Sequence, residues 1–356
     1  MAALTDPTDA AGNAASTVLI VSDPGIVSRR VAAVLPALEP ELTKQLGRPV
    51  SVIQSVHLVR LRSDDTIDYV RARTAAPGPD PHAIVVVTEI PRYTPRRPLI
   101  SEVFVDARLA VISSPTLGAW ATKRRLRIAL TQSARLLCEP VAADERRRIP
   151  FRGSRWTIAE SGPSQLYAQT VFSWLRTVLG MISTNEPLKT VPRLSSALAA
   201  AAAAGAFGIF YNSIWQMASY LPSWRLLLFT FLAIIILMGW LVLSNGLWDR
   251  TAQTRYAQVT FLYNMSTLAT LFVCVLTLYA TLFVAILLGG AALIDPQFME
   301  LILGRPVGVS DYINLAWLSS TMGVVAGGVG SSFDSETDLR RLTHGRRERE
   351  RFDLDG

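Results

Sequence analysis

Residues 226–243 read LLLFTFLAIIILMGWLVL, a run that contains no charged side chain. A run of this length and composition is typical of a transmembrane helix, because roughly 20 apolar residues are needed to cross a hydrocarbon core of about 30 Å. Trp224 and Trp248 flank the run, and tryptophan is enriched at membrane–water interfaces. We therefore predict a transmembrane helix over residues 224–247, and this helix decides the fold class of the second half of the chain.

Three further apolar segments accompany this helix, at residues 194–220, 264–289 and 312–330. Each is long enough to cross a bilayer. The first owes much of its apolar character to alanine, and the last is rich in glycine and serine. Two alternatives stay open at this point. Residues 194–220 could form a soluble alanine-rich helix, and residues 312–330 could form a glycine-rich loop.

The glycines of the last segment have a spacing that suits helix packing. Gly323, Gly327 and Gly328 follow a small-xxx-small pattern, which lets two helix backbones approach closely in a membrane. We take these three glycines as candidate helix-packing residues. Between the third and fourth segments, Asp295 and Pro296 have the pattern of an N-cap and first helical residue, which predicts a short helix outside the bilayer.

The distribution of arginine decides the number of crossings. With four spans, Arg250 and Arg255 lie on the same side as the N-terminal half and the arginine-rich C-terminal tail, and the opposite side keeps Arg225 and Arg305. This distribution follows the positive-inside rule, whereas three spans would place the tail arginines outside. The sequence therefore predicts a four-span transmembrane region over residues 194–331 in the plasma membrane. Both termini, including a charged tail, are predicted to be cytoplasmic.

The N-terminal half has a different composition. Residues 1–193 contain 25 basic and 17 acidic residues, a net charge of +8, whereas the remainder carries −1. The first 16 residues have no apolar core of a signal peptide and are predicted to be a disordered lead-in. The two cysteines, Cys138 and Cys274, lie in different halves, which argues against a disulfide and fits a reducing compartment.

Short apolar runs alternate with helical patterns between residues 17 and 160. TVLIVS, PVSVIQSVHLV and HAIVVVTEIP predict three strands, and ISEVFVDARLAVISSP predicts another strand or a hairpin. Strands that alternate with helices indicate an α/β domain with a small, largely parallel sheet. We predict this domain to be cytoplasmic, because it precedes the first span on the side that carries the basic residues.

Two places in this domain are candidate anion- or ligand-binding sites, since ligands of such sheets bind beyond the carboxyl ends of the strands. Asp23 and Gly25 follow the first predicted strand, and Arg92, Arg96 and Arg97 follow the third. A plain strand-to-helix turn and a solvated loop explain the same residues. No glycine-rich phosphate loop, metal-ligand pattern or nucleophile motif is present, so no cofactor, metal or catalytic residue is predicted.

A basic stretch and an apolar stripe precede the first span. The segment from Lys123 to Arg155 carries ten basic residues, and residues 165–182 place apolar side chains at helical spacing. We predict an amphipathic juxtamembrane helix and linker over residues 161–193 that associates with anionic lipid. An ordinary packed helix explains the same stripe. The lipid-contact candidates are Arg124, Arg125, Arg127, Arg146, Arg147 and Arg148.

The C-terminal sequence resembles that of a known family. LGRPVGVSDYINLAWLSSTMG and, after it, GGVGSSFDSETDLRRLTHGRRERERF are similar to a family of uncharacterised actinobacterial integral membrane proteins. The resemblance is best over residues 295–351 and looser over residues 17–120. It implies an N-terminal α/β region and a C-terminal membrane bundle, and it implies no activity and no site residues.

Three functions compete on the sequence alone. The first is a membrane-anchored regulator or scaffold that acts through its α/β domain, with an unknown protein partner or a second copy of the chain. The second is a transporter or channel subunit, which is disfavoured because the predicted spans lack the ionisable residues typical of coupled transport. The third is a membrane-bound enzyme with a phosphate- or nucleotide-binding domain. Nucleic-acid binding is disfavoured, because no aromatic residues alternate with the basic residues to form a stacking platform for single strands.

Overall fold

The computed structural model describes residues 16–59, 81–94, 97–139, 154–157, 163–168, 173–187, 195–248 and 257–330. These residues belong to two compact units, and the chain passes from the first to the second at Thr184 and Asn185. The predicted lead-in, apart from Ser16, and the predicted charged tail at 332–356 lie outside the described residues. Arg96, Arg146, Arg147 and Arg148 lie outside them as well.

The described part of the first unit is a sheet of eight strands with helices. The strands are β1 (Ser16–Ser22), β2 (Val50–Val56), β3 (Ala83–Thr88), β4 (Arg92–Thr94), β5 (Arg97–Phe104), β6 (Leu109–Ser113), β7 (Ser154–Thr157) and β8 (Ser164–Ala168). The helices are α1 (Ile26–Ala32), α2 (Leu35–Leu46), α3 (Thr122–Cys138) and α4 (Ser173–Asn185), with a 3₁₀ turn at Pro115–Leu117.

The sheet is mixed rather than largely parallel. Its order is β2-β1-β3-β6-β5-β8-β7, and β4 pairs with β5. The pairs β1–β2, β1–β3 and β3–β6 are parallel, whereas every pair that involves β5 or β8 is antiparallel. The prediction of a largely parallel sheet is therefore right for one half and wrong for the other. A tight turn between β5 and β6 reverses the chain, with Arg108 at a φ of 50°.

The parallel half is buried on both faces. Helices α1, α2 and α3 cover one face, where Val18, Ile20 and Val85 pack with Leu126 and Leu130 of α3. The alternate residues of the same strands, Leu19 and Val21 on β1 and Ile84 and Val86 on β3, form a second cluster on the opposite face. Strands that are buried on both faces read as continuous apolar runs, which explains why β1 and β3 were recognisable in the sequence.

The segment predicted as one amphipathic helix, residues 165–182, contains a strand and a helix. Residues 164–168 form β8, in which Leu166 and Ala168 point into the core, and the helix α4 begins only at Ser173. The α4 helix packs on the first unit, because a Cβ atom on Gly180 would overlap the carbonyl group of Pro115. The α4 residue Ser183 also accepts a hydrogen bond of 2.8 Å from Arg30.

The described part of the second unit is helical. Its helices are α5 (Ser195–Phe210), α6 (Asn212–Tyr220), α7 (Ser223–Ser244), α8 (Ala257–Leu293), α9 (Pro296–Leu303) and α10 (Val309–Gly330). Within the described residues, two helices are long and apolar enough to cross a membrane: α7, and α8 over Thr260–Leu293. A third crossing results if the bent pair α5–α6 counts as one span. The structure thus shows two, or up to three, segments that are apolar enough to cross a membrane, and it does not confirm the four predicted spans.

The helices differ from the predicted segments in two places. Residues 194–220 are not one straight helix, because the chain bends by 86° between α5 and α6. At the bend, the indole nitrogen of Trp215 donates to the carbonyl of Gly208 at 2.9 Å and replaces a lost helical hydrogen bond. The third segment is one continuous helix of 37 residues, which contains the predicted span over 264–289 and continues beyond both of its ends.

The short helix between the third and fourth segments is confirmed. The side chain of Asp295 accepts hydrogen bonds from the backbone N–H groups of Gln297 and Phe298, as an N-cap does. Pro296 follows it, and Gly304 ends the helix with a left-handed φ of 68°.

Candidate functional site

Asp23 joins the ends of three chain segments at the carboxyl edge of the parallel strands. Its Oδ1 accepts a hydrogen bond of 2.8 Å from the Val59 N–H. Its Oδ2 accepts hydrogen bonds from the Thr88 hydroxyl at 2.7 Å and from the Glu89 N–H at 2.8 Å. The side chain is fully buried. The carboxylate therefore binds strand ends of its own domain, at the edge where open α/β sheets bind ligands.

Gly25 has a backbone role beside Asp23. Its φ of 95° lies in the left-handed region, which favours glycine, and it immediately precedes α1.

Of the three predicted arginines, the structure describes Arg92 and Arg97. Arg92 forms a salt bridge of 2.7 Å with Glu102 of β5, and Glu102 also accepts a hydrogen bond from Gln165. Arg97 is exposed at the start of β5. Arg92 is therefore committed to the sheet rather than to a loop that could close on a ligand.

The corner where α3 begins brings together two arginines that the sequence did not pair. The stem of Arg176, on α4, and the Nη1 atom of Arg125, on α3, both lie against Gly118. A Cβ atom on Gly118 would lie 2.7 Å from Cγ of Arg176 and 3.0 Å from Nη1 of Arg125. Arg125 donates one hydrogen bond of 2.6 Å to the Leu117 carbonyl. Gly118 has a φ of 87°, so both its backbone and the lack of a side chain are required here.

The environment of this corner shifts the pKa values of two groups. Burial lowers the pKa of the Arg176 guanidinium, and the positive charge of Arg125 lowers it further. Burial raises the pKa of the neighbouring Tyr93 phenol, while the Thr177 hydroxyl and the Arg176 charge lower it in part. The lowered pKa of Arg176 and the raised pKa of Tyr93 indicate that this corner is partly shielded from water and carries an excess of positive charge.

The described lipid-contact candidates lie on α3 in different environments. Arg124 is exposed, and Arg125 is partly buried at the corner. Arg127 forms a salt bridge of 3.4 Å with Glu41 of α2. The three side chains therefore do not form one uniform basic surface.

The predicted packing glycines lie on α10 where it faces α5. A Cβ atom on Gly323 would lie 2.5 Å from the Ala201 carbonyl oxygen, and one on Gly327 would lie 2.7 Å from the Ala197 carbonyl oxygen. Gly328 points toward Leu237 of α7 instead, at 3.2 Å from its Cδ1. We call the contact between α5 and α10 the small-residue seam, formed by Ala197, Ala201, Gly205, Ser319, Gly323 and Gly327.

A hydroxyl cluster inside the helical unit was missed by the sequence reading. The hydroxyls of Thr230, Tyr279 and Thr321 lie 3.1–3.3 Å from one another and connect α7, α8 and α10. The indole of Trp317 donates to Thr230 at 2.8 Å. The three residues lie on three different helices, 42 to 91 residues apart in sequence, so a helical wheel of one helix does not pair them.

Among the described residues, no group of three or more histidine, cysteine or acidic side chains could hold a metal ion. No family model, curated protein or solved structure is significantly similar to the chain, so these contacts carry the functional inference.

Proposed function

We propose that the protein is an integral protein of the plasma membrane whose cytoplasmic α/β domain serves as a membrane-anchored regulator or scaffold. The outer face of α7 carries this proposal. Leu226, Ala233, Leu237, Leu241 and Val242 are buried, whereas many of the other apolar side chains are exposed, among them Leu227, Phe231, Leu232, Ile235, Ile236 and Trp240. The side chain of Leu243, for example, is 81% exposed. A soluble protein rarely exposes a continuous apolar face of this size, whereas lipid accommodates it.

Contacts at one end of the helical unit support a membrane path for both α7 and α8. The ring of Trp215 on α6 packs edge-on against Phe298 on α9, with the ring centroids 5.8 Å apart. The side chain of Gln216 also donates to the Ile302 carbonyl of α9. Because α6 precedes α7 and α9 follows α8, two crossings between them return the chain to the same side.

Four crossings, as predicted from the arginines, are part of this proposal. The α10 helix has 22 residues, about 33 Å at 1.5 Å per residue, which is enough for a hydrocarbon core of about 30 Å. Its low hydropathy is compatible with this path because α5, α7 and α8 bury most of its surface. The α5 helix is shorter, about 24 Å, so its crossing is completed by the bend into α6.

Charge neutralisation supports the same sidedness. Arg305, one of two arginines on the proposed outer side, forms two hydrogen bonds to the Asp311 carboxylate, at 2.5 and 3.2 Å. The other, Arg225, lies 5.2 Å from the ring centroid of Trp224, as an arginine at a membrane interface does. In the described part of the chain, Arg305 is thus neutralised by Asp311, whereas Arg225 keeps its charge beside the neutral ring of Trp224.

The interior of the α/β domain favours a regulator or scaffold over an enzyme. The crevice beyond β1 and β3 holds the hydrogen-bonded carboxylate of Asp23, so the usual ligand position of such sheets is filled by the protein itself. A domain built in this way is expected to act through its surface.

The test is purification of the full chain in a mild non-ionic detergent, after showing that alkaline carbonate does not extract it from membranes. We expect a stoichiometric protein partner that is lost from a chain carrying Asp23→Asn, which loosens the α/β domain. A stoichiometric nucleotide instead of a protein would support an enzyme. Solute flux through reconstituted vesicles would support a transporter or channel subunit. Extraction by carbonate would contradict the membrane assignment itself.

A further inference from the structure

Arg125 and Arg176 form a pair of like charges at the corner between α3 and α4. Both side chains contact Gly118, and Arg125 is near enough to lower the pKa of Arg176. Among the described residues, no carboxylate lies within salt-bridge distance of either guanidinium. The first turn of α3 adds Lys123 and Arg124 and contains no acidic residue. In the described part of the chain, positive charge therefore accumulates at this corner without a carboxylate to balance it.

The guanidinium of Arg176 is also short of hydrogen-bond acceptors. Its Nε and Nη2 atoms are buried and have no hydrogen-bond partner among the residues that the structure describes. A buried donor that has left water without finding an acceptor destabilises the fold, and a buried unpaired charge does so more strongly. The corner is thus less stable than a neutral version of it would be, unless a negative group enters.

The position of the corner fits ligand binding. It lies beyond the carboxyl end of β6, where the 3₁₀ turn at Pro115–Leu117 leads through Gly118 into α3. Ligands of open α/β sheets bind beyond the carboxyl ends of the strands. Asp23 fills that position at β1 and β3, whereas at β6 the position is occupied by the two arginines.

We propose that Arg125 and Arg176 together bind a phosphate group, carried either by a soluble molecule or by an anionic lipid headgroup. A phosphate has several acceptor oxygens and matches the planar fork of a guanidinium, so it can accept hydrogen bonds from both arginines while neutralising their repulsion. This inference goes beyond the proposed function and does not depend on how the helices cross a membrane.

The test measures the thermal unfolding midpoint of the full chain in a non-ionic detergent, with inorganic phosphate replacing chloride at constant ionic strength. We expect phosphate to raise the midpoint by about 3–6 °C at ten times its Kd. The rise should vanish in Arg176→Gln and in Arg125→Gln. It should persist in Lys123→Gln, which removes one positive charge from the same turn of α3. An equal rise in all four proteins would assign the effect to non-specific ion binding and overturn the proposal.

The same variants separate a ligand site from an internal ion pair. Without phosphate, Arg176→Gln should be at least as stable as the wild type, because it removes a partly buried charge that has no carboxylate partner among the described residues. With phosphate, the order should reverse. A wild type that is several degrees more stable than Arg176→Gln in chloride alone would show that the chain supplies its own acceptor, and the proposal would be wrong.

A second arm distinguishes the two sources of phosphate. Micelles doped with phosphatidic acid are compared with micelles doped with diacylglycerol, which lacks only the phosphate group. A rise with phosphatidic acid alone assigns the site to a lipid headgroup, and a rise with inorganic phosphate assigns it to a soluble ligand. No rise in either arm overturns the proposal and leaves the proposed membrane-anchored role untouched, because that role depends on the helices and on a protein partner.

Discussion

The buried carboxylate of Asp23 connects separate segments of the α/β domain through hydrogen bonds. Its carboxylate accepts hydrogen bonds from three donors that belong to two other segments of the chain, Val59 and the pair Thr88–Glu89. Asp23→Asn would turn an N–H₂ group toward at least one of these donors. A buried donor without an acceptor costs about 1–3 kcal/mol, and more when a charged group was the acceptor. We expect a clear loss of stability, measured as the thermal unfolding midpoint of the full chain.

Asp106→Asn is the matched control for this change, because Asp106 is exposed in the turn between β5 and β6. It makes the same chemical substitution without burying a donor and should leave the midpoint nearly unchanged. Equal midpoints for Asp23→Asn and Asp106→Asn would show that the strand ends do not depend on the carboxylate.

The thiol of Cys138 is expected to be unreactive at neutral pH. Burial raises the pKa of Cys138, Arg48 lowers it in part, and Glu139 raises it. Because the thiolate is the nucleophile, alkylation by iodoacetamide should be slower than for an unfolded peptide, and its rate should still be rising above pH 9. Mass spectrometry of the labelled peptide follows the rate. A plateau below pH 8.5, the usual pKa of a free thiol, would contradict this expectation.

At the residue scale, the sequence drew attention to Asp23 but did not reveal the contacts that it makes, and it missed Arg176. Asp23 was recognisable because it directly follows an apolar strand, but its partners lie far away in sequence and came into view only with the sheet. Arg176 was missed because it lies within an apolar stripe, where a charged residue reads as the solvent-facing side of the helix. The sequence signal that could have pointed to this corner was Gly118, because the aliphatic part of the Arg176 side chain packs where a side chain at position 118 would lie.

Among the elements, the small-residue seam supports a prediction about helix packing. Gly327→Leu should reduce the yield of folded protein and its resistance to detergent-induced unfolding. A leucine side chain has no room against Ala197 and Ala201 of α5, and overpacking of this kind costs about 1–3 kcal/mol or more. Both properties can be measured on the same membrane preparation, by fluorescence-detected size exclusion after a detergent challenge.

Gly239→Leu is the matched control. Gly239 is exposed on α7, and a Cβ atom there would have nothing within 4 Å. The same substitution should therefore have little effect at this position. If the two variants lose folded protein equally, glycine is required for helix flexibility in general, and the seam is not a close contact between backbones.

Elements with a clear period were predictable, and short ones were not. The α7 helix appeared in the sequence within a few residues of its actual ends. Strand β8 did not, although its burial alternates along Ser164–Ala168 as a strand requires. Leu166 fitted a helical stripe equally well, because five residues are too few to separate a period of 2 from one of 3.6. The bend at Tyr211 could not be predicted from a proline, because none lies there. At the bend, the indole of Trp215 donates a hydrogen bond to the Gly208 carbonyl.

For the molecule as a whole, the arginine distribution predicts that the C-terminus is cytoplasmic. The antiparallel contact between α5 and α10 agrees with this, since it places Gly330 at the same end of the helical unit as Ser195. Alkaline phosphatase fused after Gly356 should be inactive, because the enzyme folds only outside the cytoplasm. A fluorescent protein at the same position should be bright. An active phosphatase there would remove one crossing from the proposed path.

The overall architecture was largely readable from composition, because a basic half with alternating strands precedes an apolar half. The number of crossings was less certain for a physical reason. Helices α5 and α10 are rich in alanine, glycine and serine, so hydropathy alone does not distinguish a membrane helix from a buried soluble one. Their mutual packing, which a single sequence does not reveal, is what makes such helices compatible with a bilayer.

The small-residue seam also has a consequence for the biogenesis of the protein. Ala197, Ala201 and Gly205 meet partners that are more than a hundred residues later in the chain. At a translation rate of about 5–20 residues per second, α5 leaves the ribosome several seconds or more before α10 has been made. Until then the face of α5 that packs against α10 lacks this contact, so we expect the membrane-insertion machinery to protect it. A premature stop before α10 would therefore yield an orphaned early helix and a substrate for quality-control proteases, rather than a shorter working protein.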